Sequence, residues 1–308
     1  MKKFIYLNDY LYSVKRRVIK QGTATLTISL PSVWTKKFDI KPGDEIEVDE
    51  RGKELCISSD SYFSPKKTQL DISGFSIPMI RHCINGMYIR GDDELRIIFD
   101  KPELIDIIQN CIDFNIGFAM IKQEKNSCTV KDISGSTDSE FDNMLKRIFY
   151  MIISFGEDGL EIIKKGEPIK DFWKRDLAID KYIYYTLRML NKKGHPQFEK
   201  TKFYYDILLL LEHLADEYNR LYKNTENTKL SKEAIKTFED VNHMFRDFFD
   251  NFYKFEQKKS NELILKRNEI RNKLLKAKSN DDIIVIYYLR KIAEMIINIL
   301  QVQLQLVL

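Results

Sequence analysis

Hydrophobic residues change their spacing along the chain, and the change divides its 308 residues into three parts. Residues 12–58 carry β-branched runs and the two-residue alternation of short strands. Residues 66–134 mix strand and helix spacing, and residues 138–308 follow helical spacing throughout. The pattern predicts a multidomain α+β protein, with a β-rich N-terminal domain, a small α+β middle domain and an all-α C-terminal domain.

The N-terminal part predicts the order strand, strand, short helix, turn, strand, strand. Residues 16–30 are rich in β-branched side chains and have Gly22 near their middle, which is typical of two short strands joined by a turn. Pro31 suits a first helical turn and predicts a helix over residues 32–38. Pro42-Gly43 predicts a type II turn, and residues 45–48 are expected to pair with residues 55–57.

About fifty residues of this kind cannot bury enough apolar surface alone, which predicts a second copy with interleaved hairpins in a shared barrel. The ordered series of a basic pair, Lys-x-Gly, Ser-Leu-Pro, Trp, Lys-Lys and Lys-Pro-Gly-Asp resembles the AbrB/SpoVT (MazE-like) swapped-hairpin DNA-binding domain. The form ISLPSVW…KPGDEI is similar to the version fused to PhoU-type helices in archaeal-type phosphate-uptake regulators. The resemblance implies a homodimer through the N-terminal barrel, with double-stranded DNA as partner.

The charge of the N-terminal part is unevenly placed. Residues 1–41 hold nine Lys and Arg against two Asp, a net of +7, whereas residues 42–58 hold two against six acidic residues, a net of −4. A solvated charged surface is the ordinary explanation of such a run. Together with the resemblance, the run favours contact with DNA phosphates, the arginines being best placed to reach base edges. The candidate DNA-binding residues are Lys15, Arg16, Arg17, Lys20, Lys36 and Lys37.

The middle part predicts strands at residues 68–72, 87–89, 95–99, 119–123 and 128–131, and helices at 78–86 and 102–114. This composition indicates a small α+β domain over residues 66–134, interpreted as ferredoxin-like. It shows no catalytic constellation, so its expected role is that of a spacer or interaction module.

The C-terminal part predicts helices at residues 140–165, 168–191, 200–223, 232–257, 260–276 and 281–303. Their short connections indicate a pair of three-helix bundles, over about 138–225 and 230–306. An internal repeat supports this division, because KRDLAIDK at residue 174 corresponds to KRNEIRNK at residue 266.

The repeat resembles the PhoU fold, in which each half carries Asp/Glu-x-x-x-Asp motifs on adjacent helices. The resemblance carries over onto Asp176, Asp180, Glu212 and Asp216 as metal ligands, with His213 as an assisting side chain. The i,i+4 spacing places each carboxylate pair on one helical face, and such oxygen ligands suit Mg, Mn or Fe ions. The alternative is that the four carboxylates form salt bridges, for example with Arg175 and Arg188.

In the second copy of the repeat the corresponding pairs are Asn268/Asn272 and Arg290/Glu294. Asparagine carries no charge and arginine repels a cation, so the second copy is not expected to bind a metal cluster.

Composition excludes several other classes. No run approaches the roughly 18 apolar residues of a membrane span, and the start of the chain is a poor signal peptide. Four scattered cysteines give neither a zinc motif nor a disulfide framework, so a cytoplasmic protein is expected. The sequence shows no nucleophile and base pair and no phosphate-binding glycine loop, and we expect no enzyme activity.

The sequence therefore favours a DNA-binding transcriptional regulator of phosphate uptake, whose PhoU-like helices sense a ligand or bind a partner. The alternative is a PhoU-type cytoplasmic adaptor for a phosphate transporter or histidine kinase, with the barrel acting only in dimerisation. The basic first strand discriminates between them, because a mere dimerisation device does not need it. An antitoxin that binds a toxin is a third hypothesis, although such antitoxins are usually short with a disordered tail, whereas this chain has a large folded extension.

Overall fold

The computed structural model of the protein describes residues 14–51, 54–59, 65–134, 141–169, 171–225, 228, 230–274, 277 and 279–308. The chain divides into two compact units, Met1–Ser64 and Pro65–Leu308. The N-terminal segment 1–11 and most of the predicted linkers at residues 60–66 and 134–139 lie outside the described residues.

The N-terminal unit follows the predicted order of elements. Strands β1 (Ile19–Gln21) and β2 (Thr25–Thr27) form an antiparallel hairpin, helix α1 spans Ser32–Lys37, and β3 (Ile46–Arg51) pairs antiparallel with β4 (Glu54–Ser59). The turn at Lys41–Asp44 is closed by the Asp44 N–H, which donates to the Lys41 carbonyl at 3.1 Å. Gly43 adopts a φ of 100° there, a conformation that glycine accepts without steric cost.

The first strand is shorter than predicted. Because β1 begins at Ile19, Arg16 and Arg17 precede the strand instead of lying within it. The two hairpins form separate two-stranded sheets within this chain. None of the apolar side chains described in residues 14–59 is buried, so this unit has no hydrophobic core of its own within the described residues.

The middle region has strands β5 (Lys67–Asp71), β6 (Glu94–Ile98), β7 (Phe118–Glu124) and β8 (Ser127–Asp132), with helices α2 (Ile77–Ile89) and α3 (Leu104–Phe114). The sheet order is β5-β6-β8-β7, in which β5 and β6 are parallel and the other pairs antiparallel. Buried side chains of the sheet, Leu95, Ile97 and Val130 among them, pack with Ile80, Ile84 and Ile108 of the helices.

Two predictions for this region are wrong. Residues 87–89 do not form a strand; they are the last turn of α2, because Tyr88 and its i−4 neighbour Ile84 are both fully buried on one helical face. The loss of that strand leaves the order β-α-β-α-β-β with a parallel first pair. The predicted ferredoxin-like arrangement, β-α-β-β-α-β, is therefore not what the described residues form.

The predicted C-terminal helices are confirmed, with ends that shift by a few residues. They are α4 (Phe141–Lys165), α5 (Phe172–Lys193), α6 (Thr201–Thr225), α7 (Lys232–Tyr253), α8 (Gln257–Lys273) and α9 (Asn280–Val307). Their apolar faces share one hydrophobic core, which includes Phe149, Leu187, Leu211, Phe245 and Leu289. No helix of the described ranges is both long and apolar enough to cross a membrane.

Helix α5 joins the middle sheet to the helical bundle. Arg188 is 3% exposed, and its guanidinium donates to the Tyr88 carbonyl and to the Asp132 carboxylate, each at 2.7 Å. One turn later, Lys192 pairs with Asp93. The polar contacts along the C-terminal half of α5 therefore fix the sheet against this helix, and residues 65–308 form one compact unit.

Replacing Arg188 by methionine is expected to destabilise the chain by about 3 kcal/mol, because buried Asp132 would lose its charge partner at 2.7 Å and keep only Lys192 at 3.5 Å. Denaturant unfolding followed by circular dichroism measures the loss. Arg246→Met is the matched control, since Arg246 is about half exposed in its pair with Glu157 and such surface pairs contribute about 0–1 kcal/mol. Equal losses in both variants would contradict a buried structural role for Arg188.

Candidate functional site

The predicted DNA-binding cations lie on the N-terminal unit in two groups. Lys15, Arg16 and Arg17 lead into the first hairpin and Lys20 lies within β1, whereas Lys36 and Lys37 occupy the last turn of α1. All six side chains are exposed. Cations in a last helical turn also interact favourably with the carbonyl end of the helix, which supports the short α1.

These six cations remain unneutralised. The structure gives none of them a carboxylate partner among the residues it describes; Lys37 lies 5.6 Å from the ring centroid of Phe38. The Trp34 and Phe38 rings pack with their centroids 5.7 Å apart and hold the end of α1. An exposed group of unpaired cations produces a positive potential that attracts phosphate groups.

The apolar faces of the two hairpins are exposed in the single chain. In the second hairpin Val48 pairs with Ile57 and lies on the same face as Leu55, whereas in the first hairpin Leu26 lies opposite the cation Lys20. Leu26 is 68% exposed, Val48 55% and Leu55 65%. Exposed apolar faces of this kind, in a unit without a core of its own, indicate that another polypeptide covers them.

A second candidate site is the acidic cluster, defined as Asp176 and Asp180 of α5 and Glu212 and Asp216 of α6. Each pair is separated by one helical turn, and α5 packs against α6. Asp176, Asp180 and Glu212 are each influenced electrostatically by other carboxylates of the cluster.

Burial and repulsion among the carboxylates raise the pKa values of Asp176, Asp180 and Glu212. Burial, followed by repulsion from Asp176 and Glu212, raises the pKa of Asp180 to about 8. Burial and repulsion from Asp216 raise the pKa of Asp176 to about 6, against the opposing effect of a hydrogen bond from Asn219. At neutral pH the cluster therefore keeps a proton on Asp180, and a cation would favour its release.

Hydrogen bonding satisfies only part of the cluster. Oδ1 of Asp176 and Oδ1 of Asp180 are buried and have no hydrogen-bond partner among the described residues. Asp216 pairs with Arg220 at 2.7 Å, and His213 Nε2 lies 3.5 Å from Glu212. The cluster thus contains carboxylate oxygens without donors, which is a costly state that a bound cation would relieve.

Arg175 and Arg188 do not neutralise the cluster. Arg175 donates to Ser154 and Asp158, and Arg188 binds Asp132 of the sheet. Among the described residues that contact the cluster, Asn219 and Arg220 were missed by sequence reasoning. The i,i+4 spacing of Asp216 and Arg220 was the available signal, since it places both side chains on one face of α6.

The donor set fits a hard cation in its chemistry, with four carboxylates and two unpartnered oxygens. Within the described residues, however, no three acidic, histidine or cysteine side chains converge closely enough to form a ready metal-binding group. In the second copy of the repeat, Glu294 pairs with Arg267 at 2.5 Å and with Arg271 at 2.8 Å. Its carboxylate is therefore engaged by two arginines.

Comparison with known proteins bears on the N-terminal part. Residues 19–68 match the family model described as antidote-toxin recognition MazE, bacterial antitoxin. Comparisons with curated proteins and with solved structures found no match. The MazE-like (AbrB-like) resemblance is therefore confirmed for this part of the chain, and the PhoU-like resemblance of the helical part stays a prediction.

Proposed function

We propose that the protein is a homodimeric DNA-binding transcriptional regulator, with the MazE-type domain as its DNA reader. A domain of this type is compatible with a DNA-binding regulator. The observation that carries the proposal is the group of six exposed cations that have no carboxylate partner among the described residues; Lys20, Lys36 and Lys37 lie within the matched residues, and Lys15, Arg16 and Arg17 come directly before them. Four of them lie along the chain that enters and forms β1, where a single run of phosphates can meet them together.

The cations have different tasks in this proposal. The lysines Lys15, Lys20, Lys36 and Lys37 contact phosphate oxygens and position the domain on the duplex. Arg16 and Arg17 carry planar guanidinium groups, which can donate two hydrogen bonds to one base edge in the major groove. Affinity then depends on all six, whereas sequence preference depends on the arginine pair.

The exposed hairpin faces support dimerisation. We propose that the hairpins of two copies interleave and bury Leu26, Val48 and Leu55, which are all more than half exposed in one chain. Two-fold symmetry would duplicate the basic surface and allow the dimer to contact two stretches of the duplex.

For the helical part we propose a sensory role, in which a divalent or trivalent metal ion of the Mg, Mn or Fe class binds the acidic cluster. The support is the placement of the four carboxylates on the adjacent helices α5 and α6, with two buried oxygens that have no hydrogen-bond partner among the described residues. Asp176, Asp180, Glu212 and Asp216 would hold the ion, and its positive charge would favour release of the proton from Asp180. Phosphate uptake as the regulated process, and a transporter or signalling protein as a further partner, rest on the PhoU-like resemblance.

The double variant Arg16→Ala/Arg17→Ala is expected to weaken binding of a labelled DNA duplex about 100-fold at moderate salt, because two charge-assisted contacts are lost. The slope of log affinity against log salt should also become shallower, because the two lost guanidinium charges no longer release counterions from nearby phosphates. Fluorescence anisotropy across a salt series measures both quantities.

The matched control is Lys254→Ala/Lys258→Ala, which removes two exposed cations from the helical part. It is expected to bind DNA as wild type does. Unchanged affinity in the arginine variant would refute the DNA-reader proposal, provided circular dichroism shows the same fold.

A second candidate function is recognition of a toxin protein, and the match to a family of bacterial antitoxins favours it. In that case the exposed hairpin faces would pair within a dimer and the extension would bind the toxin. The DNA measurement separates the alternatives, since an adaptor or a toxin binder without DNA affinity gives no binding even at low salt.

A further inference from the structure

A groove of about 520 Å³ runs between α4 and α5, on a face that the acidic cluster does not use. Its floor is apolar and is formed by Met151, Ala178 and Ile179, the last of which is 1% exposed. Its rim carries Lys146, Arg147 and Arg175. A groove with an apolar floor and a basic rim is complementary to a ligand that has both an apolar surface and negative charge.

The rim cations are only partly neutralised. Lys146 and Arg147 are exposed, and neither has a carboxylate partner among the residues that the structure describes. The Arg147 guanidinium lies 4.2 Å from the ring centroid of Tyr182, and the Lys146 ammonium lies 5.1 Å from that of Tyr253. These rings position the cations without cancelling their charge, which leaves them able to form ion pairs with a partner.

Arg175 occupies the opposite wall. It donates to Ser154 at 2.9 Å and to Asp158 at 2.6 Å, so its charge is shared with a carboxylate of α4. The positive potential of the rim therefore depends mainly on Lys146 and Arg147.

The length of the groove indicates which kind of ligand fits it. Its lining extends along α4 from Asn143 to Ser154, a length of about 16 Å or three helical turns. Tyr150 lies midway along this length and is 55% exposed, so a bound partner would bury its large aromatic ring. An apolar stripe on an incoming helix fits such a trough between two helices.

We propose that this groove docks an acidic amphipathic helix of a partner protein. Its apolar stripe would cover Tyr150, Met151 and Ile179, and its flanking carboxylates would pair with Lys146 and Arg147. A small free anion suits the site less well, because the surface that lines the groove is mainly apolar. The proposal is independent of DNA binding, since it uses residues of the helical part alone.

The test uses the full chain and two labelled helical peptides of about 15 residues. Both carry leucines at i, i+3, i+4 and i+7; one has glutamates flanking that stripe and the other has lysines. Fluorescence anisotropy should show binding of the glutamate peptide, at least tenfold tighter than the lysine peptide and weakened by salt.

Charge reversal at the rim gives the decisive comparison. Lys146→Glu/Arg147→Glu is expected to invert the preference, so that the lysine peptide binds more tightly. Tyr150→Ala removes no charge and should weaken the glutamate peptide about tenfold through the lost aromatic contact. Lys254→Glu/Lys258→Glu makes the same change of net charge elsewhere on the helical part and should leave the preference as in wild type.

The basic N-terminal unit is the other place where an acidic peptide can bind. The Arg16→Ala/Arg17→Ala variant should retain the glutamate peptide if the groove is the site. Loss of binding in that variant, an unchanged preference after reversal at Lys146 and Arg147, or no binding of either peptide by wild type would each overturn the proposal.

Discussion

The Asp180→Asn variant is expected to unfold at a higher temperature than wild type at pH 7 to 8, by about 8 °C. The reason is that burial and the neighbouring carboxylates raise the pKa of Asp180 from 3.8 to about 8. A shift of this size corresponds to about 3 kcal/mol of destabilisation near pH 7, after allowance for solvent access to the side chain. Asparagine keeps the shape and removes the penalty, and about 3 kcal/mol moves the midpoint by this amount in a unit of this size.

The pH dependence has a defined sign. The unfolded chain releases the Asp180 proton above about pH 4, whereas the folded chain retains it until about pH 8. Stability conferred by this group is therefore complete below pH 4 and decreases as the pH rises to 8. The advantage of Asp180→Asn should grow over that interval and then level off, as differential scanning calorimetry at a series of pH values can measure.

Metal binding gives a second prediction for the Asp180→Asn variant. If the acidic cluster takes a divalent ion, Mn²⁺ should raise the unfolding temperature of wild type and much less that of Asp180→Asn. Asp206→Asn, at an exposed carboxylate of α6, is the matched control and should respond to Mn²⁺ as wild type does. A wild-type midpoint that is independent of Mn²⁺ would remove the metal proposal and leave the proton effect intact.

The acidic cluster shows what sequence spacing can and cannot determine. The i,i+4 pairs of Asp176 with Asp180 and of Glu212 with Asp216 place carboxylates on one face of each helix, because helical geometry alone fixes that relation. Which cations approach them depends on helix rotation and packing. Arg175 of α5 pairs with Asp158 of α4 and not with the cluster. Arg220 of α6 pairs with Asp216 on its own helix.

The middle region illustrates the limit of short apolar runs. Residues 87–89 fit a strand by composition, yet they continue α2 because Ile84 and Tyr88 fill one stripe against the sheet. Periodicity over three residues does not separate the two structures, whereas the thirteen-residue helix provides the longer pattern. The long C-terminal helices were predictable because their hydrophobic spacing persists over many turns.

The N-terminal unit was predictable for a different reason. Its order of elements follows from local turn chemistry at Gly22, Pro31 and Pro42-Gly43, which needs no knowledge of distant contacts. The length of β1 was not predictable from the sequence, because a strand ends where its pairing with the neighbouring strand ends. Pairing with β2 extends only from Ile19 to Gln21.

The Leu26→Asp variant is expected to abolish dimerisation and to reduce DNA affinity by more than 100-fold. Leu26 is 68% exposed in one chain and lies in the middle of β2. Burial of a leucine in a dimer contributes about 1.5–3 kcal/mol per chain. A carboxylate in its place would be buried without a partner, which adds several kcal/mol on each side of a symmetric interface.

Sedimentation equilibrium of the full chain measures the assembly state, and anisotropy with a DNA duplex measures the consequence. Leu265→Asp is the matched control, because Leu265 of α8 is also more than half exposed, at 53%, but lies in the helical part. It should leave both measurements unchanged. If Leu26→Asp stays dimeric with full DNA affinity, the exposed hairpin face is not the dimer interface. Another surface must then bury the exposed apolar side chains of the hairpins. If it becomes monomeric and loses DNA, the absence of a buried apolar core in the described part of residues 14–59 has its explanation in the second copy.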